Sequence, residues 1–140
     1  TKDGEANSYN LPDEINSLKW NQRISEITSV NYYKGLIALR KAHPAFRMNT
    51  PSAISANLTF LDAPADIVAY ELNGKAVKDS WSSIVVISNP NSSPKKVSLP
   101  ETGNWKIVVQ GDVAGVATLA TLKRSSSISV AAHSTVVLYK

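Results

Sequence analysis

Ser83-Ile84-Val85-Val86-Ile87-Ser88-Asn89-Pro90-Asn91 is the stretch that decides the fold. Four consecutive β-branched apolar residues are too few for a helix. Bounded by serines and closed by Asn-Pro-Asn, they read as a strand buried on both faces and ended by a turn. Working outward, apolar residues recur with period two at Leu58/Phe60, Val68/Tyr70/Leu72, Val97/Leu99, Trp105/Ile107/Val109, Ile128/Val130 and Val136/Leu138. Turn residues separate them at Asp62–Asp66 with Pro64, at Asn73-Gly74, at Glu101–Asn104 and at Ala131–Ser134. Seven strands at this spacing predict an all-β antiparallel sandwich rather than βαβ units, and the pattern also admits a strand over Val116–Thr121.

Upstream the period changes. Ile27, Val30, Tyr33, Leu36, Ile37 and Leu39 recur at steps of three and four, which predicts a helix over Ser25–Ala42. Arg40, Lys41 and His43 suit its terminal carbonyls, and Pro44 forces His43 out of helical geometry. Thr50-Pro51-Ser52 offers a capping hydroxyl and a proline for one further helical turn, Ser52–Asn57. Residues 1–24 are rich in Asn, Ser, Asp and Pro and read as a loop, in which Pro12 could open a short helix through Ile15 and Leu18. The chain therefore divides near residue 56 into a helical part, 1–56, and a strand part, 57–140. A small sandwich closes its own core, so the apolar stripe of the long helix needs a partner surface, expected outside these 140 residues.

Composition narrows the function. Of 140 residues 43% are apolar and 19% charged, and mean hydropathy is −0.13, which favours a globular core over disorder. The longest apolar runs have four residues, against ~20 for a membrane helix and ~7–15 for a signal-peptide core, so no membrane partner is expected. The net charge of +4 comes from scattered cations without interleaved aromatics, which argues against nucleic acid. Without cysteine there is no thiolate catalysis, disulfide or Cys-zinc site, and His43 and His133 lack ligand-spaced neighbours, so no metal site is expected. No serine sits in a nucleophile elbow, and the six glycines are too dispersed to cradle phosphate. Leu99-Pro100-Glu101-Thr102-Gly103 spells a sortase signal but lacks the hydrophobic span and basic tail that must follow one, so a turn between two strands is expected there. Asn57-Leu58-Thr59 and Asn91-Ser92-Ser93 fit the glycosylation pattern and are read as strand entry and turn. Thr1-Lys2-Asp3-Gly4-Glu5 is neither a start nor a targeting sequence and is expected to lie inside a longer polypeptide. Trp105, in phase with Ile107, is expected in the core and Trp20 near the helix base; Trp81, after the polar Lys75–Ser80 loop, is placed at a sandwich edge, where packing is the favoured role and a ligand contact the alternative.

Two stretches go further: Asn7-Ser8-Tyr9-Asn10-Leu11-Pro12-Asp13-Glu14-Ile15-Asn16 leading to Trp20, and Tyr32-Tyr33-Lys34-Gly35-Leu36-Ile37-Ala38-Leu39-Arg40-Lys41-Ala42-His43-Pro44-Ala45-Phe46-Arg47. They resemble the carboxyl-terminal part of bacterial type I pullulanases, starch-debranching members of the α-amylase superfamily. The resemblance implies that residues 1–24 follow the last strand of a β/α barrel, that Ser25–Ala42 is its last helix, and that the sandwich lies outside it. It implies a secreted or cell-surface bacterial enzyme that cleaves α-1,6 bonds in pullulan and branched α-glucans, with the rest of the barrel as partner. Retaining hydrolysis needs two carboxyl groups ~5–5.5 Å apart, and in this family they lie upstream, so no catalytic residue and no cofactor are expected in this chain, calcium in the parent being left open. What remains is sugar binding. Asn7 and Asn10 offer amides, Tyr9 a stacking ring and Asp13 a hydroxyl contact, although all four also suit an ordinary loop and helix start. The alternatives are a free-standing carbohydrate-binding module, for which Trp81 is the best ligand residue, and an immunoglobulin-like adhesion domain.

Overall fold

In the computed structural model, which describes Gly4 and residues 6–140, the Ile84–Ile87 run forms the centre of β3 (Ser83–Asn89). The first three residues and Glu5 of the opening segment lie outside the described residues. β3 is flanked by β2 (Val68–Asn73) and β7 (Ser134–Tyr139), both antiparallel, so its backbone is satisfied on both sides and both faces are buried. Val85 and Ile87 enter one core with Ala69, Val136 and Leu138; Ile84 and Val86 point the other way with Leu72 and Val137.

β1 (Leu58–Phe60), β4 (Lys95–Gln110), β5 (Val113–Ala114) and β6 (Ala120–Val130) complete an antiparallel sheet in the order β1-β2-β3-β7-β4-β5, with β6 also on β4. The late half of β4 pairs with β7 through Lys106–Val109, while its early half pairs only with β6. Val97, Leu99, Ile128 and Val130 from those β4 and β6 segments nonetheless pack on Val85, Ile87 and Leu138. One hydrogen-bonded sheet thus folds over its own core, and β4 belongs to both layers of the sandwich.

Three sequence readings change here. Glu101–Asn104 is not a turn: β4 runs unbroken through it, and the β6 register lapses between Ser98 and Gly103, which accommodates Pro100 with its missing N–H. The sortase-like letters therefore lie in a strand. Val109 does not share a face with Trp105 and Ile107 either. Ile107 faces Leu138 and Val109 faces Val137, so Val108 is the extra residue of a bulge, and Val108 and Val109 both join the opposite core. The strand expected at Val116–Thr121 begins only at Ala120.

Helices cover the second face of the sheet. α1 (Asp13–Asn16) and α2 (Gln22–Ser25) are single turns, α3 spans Ile27–Ala42, and α4 (Pro51–Asn57) is capped by Thr50, whose hydroxyl accepts from Ala53 N at 3.2 Å. α3 ends at His43, ahead of a 3₁₀ turn at Pro44–Arg47. Its apolar positions do not form the single stripe that the spacing suggests. Leu39 is buried, and Tyr32 and Leu36 are half-buried, against the sheet, whereas Ile27, Tyr33 and Ile37 are exposed. The helix comes so close to β5 at Gly35 that a Cβ there would overlap the carbonyl oxygen of Ala114.

Candidate functional site

The loop ahead of α3 is held by its own polar groups. Asn7 Oδ1 accepts from Tyr9 N at 3.2 Å, an Asx turn, and Leu11 N donates to Ser8 O at 3.2 Å. Asn16 Nδ2 donates to the carbonyls of Ser8 and Leu11, both at 2.8 Å, and so ties α1 back to the turn. Lys19 Nζ donates to Glu14 O. Asp13 lies in the first turn of α1, where the exposed amides favour an acid. Asn7, Tyr9, Asn10 and Asp13 are all exposed, Tyr9 at 90%, and neither Asn10 nor Asp13 makes a side-chain hydrogen bond to the described residues. Asn16 was not singled out from the sequence, because a clamp between a helix and an earlier turn leaves no periodic mark. Trp20, expected against the helix base, is 74% exposed.

At the other end of α3 lies a buried joint. His43 Nδ1 is 2.7 Å from Asp79 Oδ1, and the Asp79 carboxylate also accepts from Trp81 N at 3.0 Å and Ala45 N at 3.1 Å. Burial pushes the Asp79 carboxyl up. The hydrogen bonds from His43, Trp81 and Ala45, together with the His43 charge, outweigh it and hold the group below its ordinary value. The His43 ring stacks on Trp81 with centroids 3.4 Å apart, and Trp81 stacks in turn on Tyr139 at 3.8 Å. Trp81 is 9% exposed, so it is not an edge residue open to ligand. It is the plate on which the end of α3 is seated, and the carbohydrate-module reading loses its best contact.

A groove of about 740 Å³ separates the first half of α3 from the far end of the sheet, with Tyr32 and Tyr33 on one wall and Val68, Asp112 and His133 on the other. His133 sits in a left-handed turn at φ 46°, just ahead of β7, and His43 is the residue at which α3 ends. Among the described residues no three His, Asp or Glu side chains gather in a way that could hold a metal ion, and no helix is long and apolar enough to cross a membrane.

Residues 54–113 match the family model "Pullulanase, all-beta domain". The pullulanase of Bacillus subtilis strain 168 is 33% identical over 139 residues, which is 99% of this chain and 19% of that protein. An isoamylase of a Flavobacterium species is 33% identical over 126 residues, covering 76% of this chain and 16% of its own. The solved pullulanase of Bacillus acidopullulyticus superposes with a TM-score of 0.92 at 39% identity, covering 100% of this chain and 17% of that one. The chain thus spans about one fifth or less of the length of the relatives it matches, and the match takes in loop, helix and sheet alike. Over its whole length the chain is similar to part of a pullulanase, and residues 54–113 match the all-beta domain of that family.

Proposed function

We propose that the chain works as the non-catalytic, sheet-bearing part of a debranching glycoside hydrolase that cleaves α-1,6-glucosidic bonds in pullulan and branched α-glucans. The observation that carries this reading is a match extending over 99% of the chain but only 19% of a pullulanase, which leaves the chemistry to the larger remainder. In this reading residues 1–56 complete a β/α barrel and residues 57–140 brace it. Asn7, Tyr9, Asn10 and Asp13 line the substrate cleft: Tyr9 stacks on a glucosyl ring, while Asn7, Asn10 and Asp13 bond its hydroxyls. The exposure of all four, and the turn that holds them together, support that assignment. The two carboxyl groups needed for hydrolysis belong to the remainder, and the enzyme works outside the cell or at its surface.

The purified 140-residue chain should release no reducing ends from pullulan, and turnover would overturn the assignment of chemistry to the remainder. When the chain replaces its counterpart in the Bacillus acidopullulyticus enzyme, Tyr9→Ala should raise KM for pullulan severalfold. Unchanged kinetics would remove Tyr9 from the cleft.

A further inference from the structure

The groove beside the first half of α3 has sides of different chemistry. Thr28, Ser29, Tyr32 and Tyr33 line it from the helix, positions that helical spacing gathers on one face. Tyr32 is half-buried, Tyr33 is 68% exposed, and their rings meet edge to face with centroids 6.5 Å apart. Val68, Ser88 and Thr135 line it from the sheet, in phase with Tyr70, Val86 and Val137, which pack beneath the helices. Two turns close the far side. Asp112 lies between β4 and β5, after Gly111 at a left-handed φ of 58°. His133 lies between β6 and β7, and its backbone N–H donates to Asn91 O at 3.1 Å. The buried Asn89 ties that second turn to β3 by donating to Val130 O and Ala131 O at 3.1 and 2.8 Å. This side of the groove is therefore built before any ligand arrives.

We propose that this groove is a second carbohydrate site, which holds a short α-1,4-linked glucan segment apart from the proposed cleft. No described residue ahead of Thr28 lines it, so it is separate from the Asn7–Asp13 turn. Its volume of about 740 Å³ suits a small ligand, for which ~300–1,000 Å³ is usual. The charge of the lining chooses the ligand class. Although the chain carries +4, among the described residues no Lys or Arg lines the groove and Asp112 is its one acid, which leaves a phosphate or a nucleic acid without a counter-charge. An acyl chain would strip water from Asp112 and from the hydroxyls of Thr28 and Ser29 without replacing it. A sugar satisfies both sides: its C–H face stacks on the Tyr33 ring, while its hydroxyls donate to Asp112 and accept from the His133 ring N–H. The choice of an α-glucan among neutral polyols rests on the reading that the chain works within a debranching hydrolase. Such a polymer extends well beyond one cleft, and a second foothold raises its effective concentration there.

Amide chemical shifts of the isotope-labelled 140-residue chain would be followed during titration with maltohexaose and, separately, with cellohexaose. The expected result is saturable shifts at Asp112 and over Ala132–Thr135 with maltohexaose alone. Tyr33→Ala and Asp112→Ala should each weaken that binding by roughly fivefold or more, and Tyr9→Ala should leave it unchanged. Asp112 sits in an exposed turn, so its variant decides the matter if Tyr33→Ala disturbs the helix. Shifts centred on Asn7–Asp13 and lost in Tyr9→Ala, an equal response to cellohexaose, or no response would each overturn the proposal. In the Bacillus acidopullulyticus enzyme carrying this chain in place of its matching segment, Asp112→Ala should raise KM for pullulan about twofold or more. It should leave KM unchanged for a branched hexasaccharide too short to span two sites. A change on both substrates, or on neither, would show that the groove holds no distant part of the substrate and would overturn the proposal. An inactive chimera with the groove intact would tell against the debranching reading instead, since titration of the isolated chain judges the groove without it.

Discussion

Replacing Asp79 by alanine should undo the seat of α3. The substitution strips three donors of their acceptor at once: the His43 ring and the backbone N–H groups of Ala45 and Trp81. The carboxylate side chain is 0% exposed and His43 5%, so water cannot replace it without opening the joint. Removing one partner of a buried, hydrogen-bonded pair costs about 3–5 kcal/mol. At about 3 °C per kcal/mol for a domain of this size, melting should fall by roughly 10–15 °C. Asp79→Asn keeps the shape and one acceptor but loses the charge, and should fall between wild type and alanine. The acid dependence has a definite sign. Because the folded carboxyl is held below its ordinary value, its contribution is complete above the ordinary carboxylate range, near pH 4, and is lost as pH falls through the lowered value. Urea unfolding of wild type and both variants at pH 7 and pH 3 measures this directly. The gap to each variant should be wide at pH 7 and narrower at pH 3. A loss below about 1 kcal/mol for Asp79→Ala, or a gap that ignores pH, would refute the joint.

Gly35→Ala should destabilise although alanine favours a helix by about 1 kcal/mol, because the added methyl meets the Ala114 carbonyl; a raised melting temperature would disprove the close approach. Asn89 is buried and donates through Nδ2 to the carbonyls of Ser93, Val130 and Ala131, so Asn89→Asp, which turns a carboxylate oxygen toward them, should cost at least about 3 kcal/mol by urea melts. Thr50→Ala removes the hydroxyl that caps α4 and should cost about 1 kcal/mol, read as a small fall in thermal midpoint without loss of fold.

The strands were legible wherever burial follows the backbone's own period. Ile84–Ile87 announced β3 because four β-branched residues cannot serve a surface, and Val136/Leu138 announced β7 by alternation. Legibility failed where the backbone departs from that period. The bulge at Val108 moves Val109 to the other face without changing any letter, and Pro100 and Gly103, ordinary turn residues, sit in an irregular stretch of a continuous strand. The helix was placed within two residues at its start, but the spacing of Tyr33 and Ile37 does not say which face the sheet will take. Of the residues proposed for substrate binding, the sequence supplied the chemistry of Asn7, Tyr9, Asn10 and Asp13, and the structure added the Asn16 clamp that ties α1 to their turn. The pairing of His43 with Asp79 was beyond reach, because it joins positions 36 residues apart through a contact that neither local pattern signals.

The double membership of β4 bears on how the sheet comes apart. Its early half closes the core through Val97 and Leu99, while its late half carries Val108 and Val109 beneath the helices. Peeling away the β6 layer drags on the same backbone that holds β7, so opening of one layer is coupled to the other through β4. Amide protons at Ile128 and Val130 should exchange together with those at Val85 and Ile87, through one global opening and at a single free energy.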